Sequence, residues 1–243
     1  MKIHKKTNCI LRIAALAICF QLTISCGNLK SIKGSGNVVS TDRHLTGFNA
    51  ITTCCGIDVI ITQGDTESVK VEVDDNLQQY IKTELHNQTL NIAVDSASIQ
   101  SKNIKVYVKV KKIIMIDASS GSVVETTNPL LSDSIKIISS SGTEIKMNMV
   151  AKYVSCETSS GSDAILKGQT DRLVLDVSSG ADIKAQDLTA ETCKATATSG
   201  STIKVKVTKE ISAEASSGAG IHVWGNPQVR NVDKSSGGSI SFE

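Results

Sequence analysis

A short motif of two small residues followed by glycine recurs seven times in the second half of the chain, and it constrains the fold more than any other feature. Neighbouring glycines of the series lie 18 to 21 residues apart. A regular spacing of about 20 residues is typical of stacked supersecondary units that share one core. The first copy ends at Gly121, and the later glycines are Gly142, Gly161, Gly180, Gly200, Gly218 and Gly237.

Apolar residues flank each glycine at fixed offsets. Three places after it stand Val124, Ile145, Ala164, Ile183, Ile203, Ile221 and Ile240. Five places before it stand Ile116, Ile137, Cys156, Leu175, Ala195, Ala213 and Val232. Seven places before it stand Ile114, Ile135, Val154, Leu173, Cys193, Ile211 and, as the exception, Arg230. These offsets, with mostly polar residues between them, indicate strands with one buried face and one solvated face.

The sequence therefore predicts an all-β fold. We expect a right-handed parallel β-helix, or β-solenoid, of about 19-residue Ser-Ser-Gly coils over residues 111–243. Glycine suits the corner of each coil because it adopts positive φ without a Cβ clash. A single coil cannot bury its own apolar face, so the coils must stack.

A β-rich portion precedes the repeats over residues 34–110. Alternating patterns predict strands at 89–94 and 104–110, and a hairpin turn at 63–66. The segment 75–81 is the one predicted short helix, with Asp74 or Asp75 as its N-cap.

Adjacent cysteines occupy a corner position ahead of the repeats. Cys54-Cys55-Gly56 stands where Ser-Ser-Gly stands later, with Ile51 five residues before the glycine and Val59 three after it. The repeat register is therefore expected to begin here, within one continuous β structure or two packed ones. The two thiols are free at this corner, or they form a disulfide between neighbours with redox behaviour.

The N-terminus predicts export and lipid anchoring. A basic start is followed by a short apolar run at 13–20, which has the layout of a secretory signal peptide. Small residues then precede Cys26, as in the lipobox of bacterial lipoproteins, although Thr23 stands where leucine is usual. We expect a signal peptide over 1–25, lipid on Cys26, a linker over 26–33, and a cell-envelope location as an outer-membrane lipoprotein facing the periplasm or the cell surface.

Composition narrows the possible functions. A net charge of +2 with interspersed signs argues against a nucleic-acid surface. The absence of a C-x-x-C pair argues against zinc, and we predict neither a metal nor a cofactor. Aspartate and glutamate recur four places before the glycines, which leaves calcium as a minor alternative to compensation by neighbouring lysines. Aromatic residues make up 3% of the chain, so the core must consist of Ile, Val, Leu and Ala.

Several segments resemble a known family. They are Gly-Asn-Val-Val at 36–39, Gly-Phe-Asn-Ala-Ile at 47–51, Gly-Ile-Asp-Val-Ile-Ile-Thr-Gln-Gly at 56–64, Val-Glu-Val-Asp-Asp-Asn-Leu at 71–77 and the later Ser-Ser-Gly repeats. With them the chain resembles the head GIN domain proteins, which are described as auto-transporter adhesins. The resemblance implies a β-helical fold on exported, often lipid-anchored proteins, and it implies little about activity.

A non-catalytic binding, adhesin-like or scaffold module is the leading functional hypothesis, because solenoids present long repetitive surfaces to a glycan or a protein. The alternative is a carbohydrate-active enzyme, a polysaccharide lyase or hydrolase, since such enzymes also use β-helices. No catalytic residue is predicted, because a carboxylate pair in an aromatic groove is not evident.

The last coils hold two further features. His222 and Trp224 form a possible binding site, although an atypical end coil that caps the solenoid is the favoured interpretation. The chain ends in a strand pattern at 239–243. A sheet edge there would permit self-association.

Overall fold

The computed structural model describes residues 31–95, 98–100 and 103–243, and nearly all of them lie in or between β-strands. The strands are β1 Ser31–Lys33, β2 Val38–Arg43, β3 Ala50–Thr53, β4 Asp58–Gln63, β5 Ser68–Asp74, β6 Ile81–His86, β7 Thr89–Val94, β8 Ser98–Gln100, β9 Lys105–Val110, β10 Met115–Ala118, β11 Val123–Thr126, β12 Leu130–Ser139, β13 Glu144–Thr158, β14 Asp163–Val177, β15 Asp182–Ala197, β16 Thr202–Ala215, β17 Gly220–Trp224, β18 Val229–Lys234 and β19 Ser239–Phe242. One 3₁₀ helix, Asp75–Tyr80, lies between β5 and β6.

The strands stack in parallel register as a β-solenoid. Each long strand pairs with a strand of the coil before it and with a strand of the coil after it, as β14 does with β13 and β15. The predicted fold class is thus confirmed, while the right-handed winding stays a prediction. One inward column shows the register through directly paired Cα partners: Leu90, Ile51, Ile116, Ile137, Cys156, Leu175, Ala195, Ala213 and Val232.

The Ser-Gly corners are tight turns in which two successive residues have positive φ. The second serine of each corner has φ between 47° and 59°, and the following glycine between 67° and 80°. Positive φ at both central residues defines a type I′ turn. The corners are joined by a backbone ladder, in which the Gly161 N–H donates to the carbonyl of Ser179 at 3.2 Å, and equivalent bonds recur from coil to coil.

The chain order and the stacking order differ at the N-terminal end. The coil formed by β3 and β4 pairs on one side with β10 and β11, and on the other with β7 and β9. β7 and β9 therefore stack outside β3 and β4, although they follow them in sequence. The repeat register begins at Cys54-Cys55-Gly56, as expected, because Ile51 pairs with Ile116 and Val59 with Val124.

Antiparallel strands cover this N-terminal end. β5 pairs with β9, β2 pairs with β5, and β6 pairs with β7. The predicted hairpin at 63–66 is wrong: a turn does join β4 to β5, but β9 lies between them and pairs with both. The predicted helix forms as a 3₁₀ helix, and Asp74 precedes it without capping it. The Asp74 carboxylate instead accepts the Gly36 N–H at 2.8 Å.

The core is a continuous cluster made mainly of Ile, Val, Leu and Ala side chains, as the composition indicated, with Phe48, Met147 and Met149 also buried in it. Cys156 and Cys193 lie within it, at 0% and 5% exposure. Two inward predictions are wrong. Ile114 is 40% exposed because it precedes β10, so that Ile113 fills the core there; Val232 is 48% exposed because it lies in the last coil of the described stack.

Candidate functional site

An open groove of about 520 Å³ lies about midway between successive Ser-Gly corners of the middle coils, where Gly168, with φ of +113°, interrupts the extended backbone of β14; we call this part of each coil the second bend. An outward column crosses the strands here at one residue per coil: Leu131, Val150, Gln169 and Thr189. Leu131 and Val150 are 61% and 45% exposed, so the groove is apolar at one end. The amide of Gln169 and the hydroxyls of Thr189 and Thr208 make it polar toward the other end.

A charged row borders this groove at the bend. Lys152 Nζ lies 2.9 Å from Asp133 Oδ1, and Lys209 Nζ lies 2.7 Å from Glu191 Oε2. The two lysines beside Asp133, Lys152 first and then Lys112, lower the pKa of that carboxyl through hydrogen bonds and charge. A ligand in the groove would therefore meet both positive and negative side chains, and because these are paired, the groove has no strong net electrostatic potential.

Charged side chains that stack in columns on the outward faces of the strands form ion pairs with residues of neighbouring coils, which offset the repulsion between like charges. Lys184 Nζ lies 3.1 Å from Asp163 Oδ1, and Lys136 Nζ lies 3.0 Å from Glu157 Oε1. Within the part of the chain that the structure describes, no group of three or more His, Cys, Asp or Glu is arranged to hold a metal ion. The sequence reasoning missed one carboxylate column, two places after the glycines, in which Glu144, Asp163 and Asp182 are successive Cα partners.

His222 and Trp224 lie two residues apart on the outer face of β17, near the C-terminal end of the stack. Their ring centroids are 6.3 Å apart. A hydrogen bond of 2.9 Å joins His222 Nδ1 and Ser241 Oγ, and Glu243 Oε1 is 4.0 Å from the same nitrogen. The structure thus brings the two predicted residues together on the surface, and their binding role stays a prediction.

The open C-terminal end is crossed by two cations that occupy inward positions. Arg230 stands where earlier coils place Ile211 or Cys193, and its guanidinium lies 4.3 Å from the ring centroid of Phe242. Arg230 also donates to the Pro227 carbonyl at 3.0 Å. Lys234 Nζ donates to the Ile240 carbonyl at 3.0 Å. Inward-pointing charges of this kind disfavour pairing of an open sheet end with another chain.

The cysteines differ sharply in their surroundings. Cys54 and Cys55 are joined by a disulfide between adjacent residues. Cys156 and Cys193 are free and buried, and burial raises the pKa of each thiol to about 12. Cys26, the predicted lipidation site, lies outside the described residues. Among the residues that are described, no helix is long and apolar enough to cross a membrane.

Comparison with solved structures finds the same fold in several bacterial proteins. One is described as a putative adhesin from Bacteroides fragilis, with a TM-score of 0.80 and 19% identity over 87% of this chain and all of that one. A putative lipid binding protein from Parabacteroides distasonis has a TM-score of 0.73 and 20% identity over 88% of this chain and all of that one. A putative adhesin from Parabacteroides merdae has a TM-score of 0.68 and 18% identity over 88% of this chain and 99% of that one.

Comparison with curated protein sequences finds no significant match. The family described as "Putative auto-transporter adhesin, head GIN domain" matches residues 47–227, which is well over half of the chain. The match spans the corners from Cys54-Cys55-Gly56 to the sixth Ser-Gly repeat, and with it the groove and the carboxylate column. On this evidence the chain belongs to the head GIN domain family.

Proposed function

We propose that this protein is a non-catalytic cell-envelope lipoprotein that binds a glycan along the groove of its solenoid. The observation that carries the proposal is the exposure of Leu131 and Val150 in one column with Gln169 and Thr189. An exposed apolar patch bordered by polar groups on a rigid surface is typical of a binding site.

The backbone pairing favours a glycan over a peptide. A peptide that binds by strand addition needs a free sheet edge. The groove crosses β13 to β15, which all pair with a coil on each side, and at its β12 end the backbone N–H and C=O of Leu131 are already bonded by the side chain of Gln63. Recognition there must use side chains, and hydroxyl, amide and paired charged groups are suited to the hydroxyls of a polysaccharide.

A matched pair of substitutions tests the groove. Val150 in β13 and Val229 in β18 have similar exposed fractions, 45% and 47%, but only Val150 lines the groove. With detergent-solubilised full-length protein and a panel of surface polysaccharides, we expect Val150→Asp to weaken binding about tenfold or more, which is about 1.4 kcal/mol. Val229→Asp should leave binding unchanged. Equal effects of the two substitutions, or binding of proteins and not of glycans, would refute the proposal.

Anchoring is a separate part of the proposal and rests on the lipobox at Cys26. Lipid on this cysteine would hold the solenoid at a membrane without a spanning helix. Incorporation of labelled palmitate into the full chain, but not into Cys26→Ser, is the expected result. Protease accessibility on intact and permeabilised cells then distinguishes the surface from the periplasm. An adhesive role requires cleavage on intact cells.

A further inference from the structure

The cysteine pair occupies a corner that has no structural need for it. At this corner Cys54 N–H donates to Ile92 O at 3.3 Å, Gly56 N–H donates to Ser120 O at 3.0 Å, and Thr53 O accepts Ser119 N–H at 3.0 Å. The same three bonds recur at later corners, for example Ser159 N–H to Ser139 O at 3.0 Å. Seven serine or threonine corners therefore hold the same geometry without any covalent link.

The disulfide also closes too short a loop to stabilise the fold. A cross-link stabilises mainly by restricting the unfolded chain, and this effect grows with the length of the loop that it closes. Here the sequence separation is one residue. Conformational preference does not explain the pair either, since Cys55 has φ of +70°, where Asn, Asp or Gly would be favoured.

The position of the pair makes it reactive instead. Adjacent residues place their Cα atoms 3.8 Å apart, below the range of about 4.4–6.8 Å that is usual for disulfides. Cys55 is exposed and Cys54 is half-buried. Exposed disulfides outside the usual geometry are the more easily reduced ones. A shallow cavity of about 270 Å³ lies beside Cys54.

We propose that Cys54 and Cys55 form a reversible thiol–disulfide exchange site for small thiols that carry no anionic group besides the reacting thiolate. A thiolate that enters the cavity attacks the Cys54 sulfur, the bond between the two sulfurs breaks, and the exposed Cys55 leaves as the thiolate. A second thiol attacks the mixed disulfide and releases Cys54. Two thiols are thereby oxidised to one disulfide, and the protein disulfide takes up two electrons and two protons.

The charge of the cavity sets the class of thiol. Asp117 lines the cavity and is the Cα partner of Thr52, two residues before Cys54. Among the described residues that line the cavity, Asp117 is the one with a charge. A carboxylate near the entry route repels an anionic thiolate reagent, and it does so more at low ionic strength than at high. A thiol with a cationic amine should therefore react faster than one of the same length with a sulfonate.

The reaction is measured on the full-length protein in detergent, with a maleimide reagent that adds mass to each free thiol. We expect millimolar cysteamine to expose two thiols in the folded protein while the urea midpoint stays unchanged. The buried Cys156 and Cys193 report unfolding, because they react only when the core opens. C54S/C55S, which recreates the other corners, should have the wild-type midpoint and no exchange.

The competing results are distinct. Isolation of the protein with both corner thiols already free, or reduction only in urea concentrations that unfold it, overturns the exchange site. A midpoint that falls on reduction assigns the bond a structural role and overturns it as well. Cysteamine should act about two- to fivefold faster than mercaptoethanesulfonate in low salt. Equal rates in the wild type, or a ratio that Asp117→Asn does not reduce, overturn the assigned class of thiol.

Discussion

Two glycines that both have positive φ should respond very differently to the same substitution. Gly161 has φ of +67° at a Ser-Gly corner, and a Cβ there meets nothing within 4 Å. Gly168 has φ of +113° at the second bend, and a Cβ there would overlap the carbonyl oxygen of Met149 and approach its carbon to 2.9 Å. We therefore predict that Gly168→Ala destabilises the protein far more than Gly161→Ala.

The magnitudes follow from the two environments. At Gly161, alanine in the left-handed region costs about 1–2 kcal/mol, and the smaller entropy of the unfolded chain offsets about 0.4–1 kcal/mol. The net loss is about 0–1.5 kcal/mol. At Gly168, the strained φ costs about 1–3 kcal/mol, and displacement of the Met149 strand adds about 1–3 kcal/mol. After the same offset, the net loss is about 1–5.5 kcal/mol.

Urea unfolding of the two variants and the wild type measures the difference. A loss of about 3 kcal/mol in unfolding free energy lowers the urea midpoint by about 1–3 M if the slope is unchanged. Because Gly168 lies in the coils that form the groove, its variant should also lose ligand binding before it loses global structure. Equal midpoints for the two alanine variants would show that the close approach of the Gly168 and Met149 backbones does not exist in solution.

Three further outcomes are expected. Ile137→Ala, at a fully buried position, should cost about 2–4 kcal/mol of unfolding free energy, whereas Val232→Ala in the open end coil should cost less than about 0.5 kcal/mol; urea midpoints check both. The double substitution Arg230→Leu and Lys234→Ala should increase end-to-end pairing relative to the wild type, because it removes both cations from the open end, and light scattering across concentrations measures this. The pKa of the buried Cys156 thiol is raised to about 12, above its unfolded value near 9, so this group stabilises the fold fully below pH 9 and its contribution is lost between about pH 9 and 12; thermal unfolding across that range checks the sign.

The sequence predicted the repeating part of the fold well because two local signals agreed. Glycine at constant spacing marks the corners, and period-two alternation marks the buried face, so that Ile137 and Leu175 could be placed in one column before any coordinates. The same argument located the extra corner at Cys54-Cys55-Gly56. Errors occurred where the regular pattern stops. Ile114 precedes β10, where Ile113 fills the core instead, and Val232 lies in the last described coil, where burial depends on a neighbouring coil and not on the strand itself.

The stacking order at the N-terminal end could not be predicted in the same way. The segment between β4 and β7 looks like a local hairpin and helix, and nothing in its composition shows that β9 pairs with both β4 and β5. That pairing joins residues far apart in sequence, and local propensity does not specify it. The groove was also missed, because its residues meet across coils at a bend that no glycine series or turn motif marks.

Arg230 and Lys234 determine where this solenoid can have gained or lost length during evolution. A coil added after β19 would have to bury both cations among aliphatic side chains, which is costly for an unpaired charge. The N-terminal end is equally unsuited to addition, because antiparallel strands cover it. Duplication of an internal coil between β12 and β16 keeps every pairing and every inward column intact. Relatives of different length should therefore differ by whole coils in the middle and share their two ends.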